Sequence, residues 1–352
     1  MRRPCAGVLL FSASLIFIWY GSYSLHFLDD KIKHDFISGK VNGRFLSDPS
    51  IFANKKVAYV CATLCCLLWG SSYPAIKNGY ELLYIATDDV PSKIVFAGYR
   101  FLFAGLLLLL FALAQRKPIA RLNGRQCGQL AMLGLTQTAI QYAFFYVGLA
   151  FTTGVKGSIM NATGTFFSVL LAHFIYQNDR LSYNKTIGCV LGFVGVMLVN
   201  FNASLGDFNF VWQGDGFVVL AAFILSAATL YGKRISQTVD PTVMTGWQLA
   251  FGGLVLVAGG YLTGGELRMH SLTAAMILGY LTLLSSIAFA LWSVLLKHNR
   301  VSMIAPFNFV IPVAGTVLSA IFLGENIFEW KYAIALVLVC VGIRWVNKSQ
   351  AR

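Results

Sequence analysis

From residue 57 onward the chain consists almost wholly of long apolar stretches separated by short polar connections. Ten stretches run at 57–77, 91–115, 127–149, 154–177, 184–202, 213–233, 241–262, 272–296, 301–323 and 329–347. A bilayer's hydrocarbon core is about 30 Å thick and a helix rises about 1.5 Å per residue, so a span needs about 20 mostly apolar residues. Each stretch is of that order. The expectation is an all-α integral membrane protein with ten transmembrane helices and the lipid bilayer as its solvent. The connections leave no room for a soluble domain, so any function must reside in the bundle.

Composition agrees. Of 352 residues, 57% are hydrophobic and 12% charged, against about 25% charged in soluble domains. That excludes an ordinary soluble enzyme. The formal net charge of +13 would raise nucleic-acid binding in a soluble chain, but here it divides by side. Lys and Arg accumulate in cytoplasmic loops. With Lys55 and Lys56 set inside, alternate connections carry fifteen cations against Asp179 and Asp240; the opposite set carries five cations against eight acids. Both ends of the ten-span unit are thereby expected on the cytoplasmic side, in a bacterial inner membrane, and no basic surface calls for nucleic acid. The seven cysteines (5, 61, 65, 66, 127, 189 and 340) form no metal-ligand spacing and no disulfide framework. No cofactor and no metal are expected, and the sequence leaves the oligomeric state open.

Residues 1–54 fit less simply. Val8 to Tyr20 form an apolar run preceded by Arg2 and Arg3, followed by a polar stretch of mixed charge. This reads as a signal-like segment, an eleventh span or an extension outside the working unit. A crossing by this run with Arg2 and Arg3 inside would invert all ten later spans, against their charge bias.

The chain also repeats itself. Asn161 and Asn308, Gly195 and Gly342, and Asn200 and Asn347 each lie 147 residues apart, and Asp179 lies 146 before Glu325. Two five-span halves emerge, 57–202 and 213–347. Five is odd, so the second half enters the membrane from the opposite side. Inverted duplication of this kind marks secondary transporters, with the substrate site between the halves.

Three segments carry a family resemblance: Leu67-Leu68-Trp69-Gly70-Ser71-Ser72-Tyr73-Pro74-Ala75-Ile76-Lys77, Tyr99-Arg100-Phe101-Leu102 and Phe322-Leu323-Gly324-Glu325-Asn326. The chain resembles the EamA-type branch of the drug/metabolite transporter superfamily over roughly 57–347. The resemblance implies a ten-helix fold, cytoplasmic termini, and export or exchange of small metabolites. It also implies that the fifth and tenth helices buttress the bundle. Gln177-Asn178-Asp179-Arg180-Leu181 departs from the usual Gly-Glu-Arg-Leu.

Polar groups inside spans are costly, which makes them functional candidates. No Asp or Glu lies deep in any span, which disfavours proton-coupled export of lipophilic cations. Arg100 lies within the second span; with Pro74, Pro306 and Pro312 it is assigned a structural or gating role, the prolines because they free helix carbonyls. Lys77 and Lys156 read as snorkelling to the outer interface, and His173 as a packing residue. The substrate cavity is assigned to Trp69, Tyr73, Gln137, Gln141, Asn161, Thr165, Trp292 and Asn308. Five intramembrane amides, counting Gln248, imply a polar interior, and Trp69 and Trp292 offer stacking surfaces. Cys61, Cys65, Trp69, Tyr73 and Lys77 recur every four residues along the first span, and Ser158, Asn161, Thr165 and Ser168 follow a three-four spacing.

These features imply a secondary transporter or facilitator for a small polar, amino-acid-like metabolite, working by alternating access. The alternatives are a membrane-embedded enzyme, which would need a His, Asp or Glu cluster, and an accessory membrane protein.

Overall fold

The computed structural model describes residues 49–86, 88–152, 157, 160–199, 210–269, 271–323 and 330–348. The first apolar run, Lys156, Ser158, Asn200, Asp207 and the Gly324-Glu325-Asn326 turn lie outside the described residues. Residues 1–54 form a unit of their own, with a short helix at Pro49–Ala53.

From Lys55 the described residues run through ten helical segments. They are α1 (Lys55–Leu82), α2 (Val90–Ala114), α3 (Gly124–Phe151), α4 (Met160–Ile175), α5 (Tyr183–Val199), α6 (Trp212–Ile235), α7 (Pro241–Leu262), α8 (Leu272–His298), α9 (301–323) and α10 (Trp330–Lys348). Six of these, α1, α2, α3, α6, α7 and α8, are long and apolar enough to cross a membrane. The chain is an integral membrane protein with no strand among its described residues.

Helix starts are written locally. Asp89 accepts from the Ser92 amide at 3.0 Å to open α2, and Asp240 accepts from the Thr242 and Val243 amides to open α7. Proline follows within the first turn in both, where its missing N–H costs nothing. Asn123 and Gln126 form a reciprocal capping box before α3, and Ser271 caps α8 through the Ala274 amide.

Four departures from the sequence reading concern helix interiors. α1 runs through Pro74 unbroken. The Gly70 carbonyl, which Pro74 leaves without its usual amide, lies 3.5 Å from where a Cβ on Gly315 would sit, so it faces protein and not lipid. Pro306 does interrupt its helix, within a tight 3-10 stretch at Ala305–Phe309, whereas Pro312 sits in the opening turn of the α-helix that follows. α3 widens into a π-helix at Gly134–Ile140, a feature that nothing in the apolar pattern signals. α4 is interrupted by a single turn residue at Thr163 and ends at Ile175, two residues before the expected end.

Two seams hold the bundle at close range. In the first, α2 and α7 run antiparallel with glycine facing glycine: a Cβ on Gly98 would stand 3.0 Å from the Gly253 carbonyl, and one on Gly105 would stand 2.6 Å from that of Gly246. In the second, α5 and α10 run antiparallel: a Cβ on Gly188 would meet the Gly342 carbonyl at 2.5 Å, and one on Gly195 the Ala335 carbonyl at 3.0 Å. Small residues are needed because lipid supplies no hydrophobic drive between helices, leaving dispersion at short range to do it. Between the seams, α1 packs on α8 and α9, and α6 packs on α3 and α4. This leaves a space at the centre.

Candidate functional site

That space is a cavity of about 190 Å³. A single water needs about 10–15 Å³ of such space, so the cavity exceeds what one water requires. Helices α1–α4 and α6–α9 all supply lining residues, and none of the described lining comes from α5 or α10.

Trp69 and Tyr73 line it from α1, Gln137 and Gln141 from α3, Asn161 and Thr165 from α4, Trp292 from α8 and Asn308 from α9. Arg100 and Pro312 line it too, whereas Pro74 and Pro306 do not. The structure thus brings together all eight residues assigned to the cavity, with two of the four assigned a structural or gating role beside them. The π-helix carries Gln137 and ends where Gln141 begins; its extra backbone residue per turn sets the angle between these amides. In α1, a spacing of four residues advances about 40° beyond a full turn at each step. Cys65 therefore packs against α8, its thiol donating to the Ala288 carbonyl at 3.6 Å, while Lys77 ends on the exposed side.

One wall is aromatic. Trp69 lies edge-on to Trp292 and Phe289, with ring centroids 5.1 and 5.2 Å apart. Tyr142 and Tyr146, one turn apart on α3, continue it. The sequence reading missed both tyrosines; their spacing from Gln141 and Gln137 was the available signal. Serines tie α4 to α6: Ser168 donates to Ser226 at 3.1 Å, and the single Ser226 hydroxyl proton is shared between the Gly164 and Ala222 carbonyls, each 2.8 Å away.

Three cavity-lining side chains hold buried atoms without a hydrogen-bond partner: Trp69 Nε1, Gln141 Oε1 and Thr165 Oγ1. A buried polar atom left unpaired costs about 1–3 kcal/mol, and grouping three in one cavity fits a polar occupant. Arg100 is 3% exposed, and its Nε donates to Ser285 Oγ at 2.7 Å. No carboxylate is among the described lining residues.

Charged ties close the bundle where α4, α6, α8 and α9 end or begin. Asp179, just beyond α4, pairs with Lys185 at 2.8 Å, accepts from the Ser302 amide at 3.0 Å and accepts from the Ser302 hydroxyl. Both Asp179 and Lys185 are buried. Lys233, one of the fifteen cations assigned to the inner connections, sits in the last turn of α6, lines the cavity and donates to the Leu296 and Asn299 carbonyls at the end of α8. Its position at the last turn of an apolar helix disguised it.

The sequence pattern of the EamA-like transporter family matches residues 56–201 and, a second time, residues 212–348. The chain belongs to the EamA-like transporter family. Similar proteins include a Salmonella typhimurium "Probable amino-acid metabolite efflux pump", 26% identical over 80% of this chain and 92% of its own. An uncharacterized transporter of Archaeoglobus fulgidus is 25% identical, over 83% and 98%. A solved crystal structure shares the fold with a TM-score of 0.67 at 18% identity, covering 82% of this chain and 96% of its own. The cavity of this EamA-like chain therefore belongs to a membrane transporter family, and each family match supplies four of the helices that line it.

Proposed function

We propose that the chain is a ten-helix secondary transporter or facilitator that moves a small polar, amino-acid-like metabolite out of the cytoplasm, or exchanges it, by alternating access. The observation that carries this reading is the central cavity, lined by α1–α4 of one family match and by α6–α9 of the other, with eight polar or aromatic residues facing a common space. Trp69, Tyr73, Gln137, Gln141, Asn161, Thr165, Trp292 and Asn308 bind the substrate in this account. Rocking of the 57–202 half against the 213–347 half exposes them to either side.

The seams support an inverted relation between these halves. Gly98 and Gly246, like Gly105 and Gly253, lie 148 residues apart, and the contact of Gly98 with Gly253 is repeated, with roles exchanged, by that of Gly105 with Gly246. Gly188 and Ala335, like Gly195 and Gly342, lie 147 apart, and the Gly188–Gly342 contact is likewise exchanged for Gly195–Ala335. A two-fold axis in the membrane plane produces such antiparallel self-pairing of equivalent helices. The fifteen-to-five distribution of cations supports cytoplasmic ends for the unit, and the name of the Salmonella relative supports an amino-acid-like cargo.

Solute counterflow in proteoliposomes tests the reading with a panel of amino acids, sugars and nucleobases. The expected result is saturable uptake of a small polar solute that Gln141→Leu abolishes. No uptake of any candidate by folded protein would overturn it.

A further inference from the structure

Arg100 has a counterpart across the internal repeat, and the counterpart is neutral. Gln248 lies 148 residues later, the offset that also relates Gly98 to Gly246 and Gly105 to Gly253. The two side chains make equivalent bridges. Arg100 Nε donates to Ser285 Oγ at 2.7 Å, from α2 to α8, and Gln248 Nε2 donates to Thr138 Oγ1 at 3.4 Å, from α7 to α3. The acceptors Thr138 and Ser285 are themselves 147 residues apart. Both donors are buried, at 3% and 2% exposure.

Holding these helices together therefore requires one buried donor, which an uncharged amide supplies in α7. The positive charge on Arg100 exceeds that structural need, although a charge within a span is expensive. Two observations say where it acts. Arg100 lines the cavity and Gln248 does not. Among the described residues no carboxylate pairs with Arg100, and its bond to Ser285 engages Nε, not the terminal nitrogens. The other cation on the cavity wall, Lys233, is already engaged by two carbonyls.

We propose that Arg100 binds the carboxylate of the transported molecule, which makes the substrate class small α-amino or α-hydroxy acids. This rests on the transport reading above and adds a charge requirement to it. A planar guanidinium held through Nε keeps the donors that receive a carboxylate. The unpartnered Gln141 Oε1 and Thr165 Oγ1 accept from an α-ammonium or α-hydroxyl, and Trp69 Nε1 donates to the same head group. A cavity whose described lining holds two cations and no carboxylate repels amines that lack a carboxylate.

The experiment compares free acids with neutralised analogues. Purified full-length protein is titrated with L-serine, L-threonine, L-leucine, 2-hydroxy-4-methylpentanoate and the three amino-acid amides, read by tryptophan fluorescence. Counterflow is run in parallel. The expected result is binding of at least one free acid about tenfold or more tighter than its amide. Arg100→Gln, which restores the residue found at the equivalent position, keeps the wild-type melting transition and loses the preference, while Arg100→Lys keeps part of it. Equal binding of acid and amide, binding of none of the acids, or a preference surviving in folded Arg100→Gln overturns the proposal. The wild-type comparison decides even if a variant fails to fold. Carboxylate-selective binding without flux would keep the site and sink the transport reading; flux without carboxylate preference would do the reverse.

Discussion

Replacing Gly105 by alanine puts one methyl group where two helix backbones touch. A Cβ there would stand 2.6 Å from the Gly246 carbonyl oxygen and closer still to the Ala250 amide nitrogen. Neither atom can rotate away, and the nitrogen at 2.2 Å governs: α2 and α7 must part by about 0.8 Å to bring it to 3.0 Å and by about 1.2 Å to bring it to 3.4 Å. Overpacking of this kind costs about 1–3 kcal/mol. Gly279→Ala in α8 is the control, because nothing lies within 4 Å of its Cβ position; there alanine gains about 0.5–1 kcal/mol of helix propensity. At about 2–4 °C per kcal/mol, the two variants should melt roughly 2–12 °C apart. Gly253→Ala, the repeat equivalent of Gly105→Ala, should fall on the same side as Gly105→Ala. The assay is thermal unfolding of protein in nanodiscs, reported by a thiol dye reaching the buried Cys65 and Cys66. Melting of Gly105→Ala at or above the Gly279→Ala temperature would refute the seam as the close contact between equivalent helices.

Other tests address the site and its orientation. Asp179→Asn should lower stability by about 3–5 kcal/mol, because it leaves buried Lys185 uncompensated; the double variant Asp179→Asn/Lys185→Met should recover part of the loss in the same melting assay. Gln141→Leu should leave the melting transition unchanged or raised, since it removes an unpartnered buried acceptor, while transport measured by counterflow is lost. In a cysteine-free background, Arg121→Cys should react with an impermeant maleimide only after the cells are opened, whereas Thr263→Cys should react in intact cells; the opposite pattern would invert the assigned topology.

The membrane setting was legible because apolar length is a one-dimensional property, and the cavity residues because amides such as Gln141 and Asn308 have few reasons to sit in lipid-depth helices. Features that need a partner were not legible. The seven-residue spacing of Gly98 and Gly105 acquires meaning only opposite Gly246 and Gly253. The π-helix at Gly134–Ile140 depends on how α3 meets α7, and the apolar pattern looks the same with or without it. Lys233 reads as a cation of an inner connection because it sits at a helix end, where only the three-dimensional path shows carbonyls from α8 waiting for it. Local rules say that Pro74 frees a carbonyl; only the packed structure shows Gly315 letting α9 cover that of Gly70.

Solute counterflow into proteoliposomes tests the central claim most directly, using labelled L-serine, L-threonine and L-leucine with protein shown to be folded by its melting transition. The account expects saturable uptake of at least one of them above protein-free vesicles, reduced to that background by Gln141→Leu and competed by the free acid but not the amide. Uptake at the protein-free level for all three would contradict it.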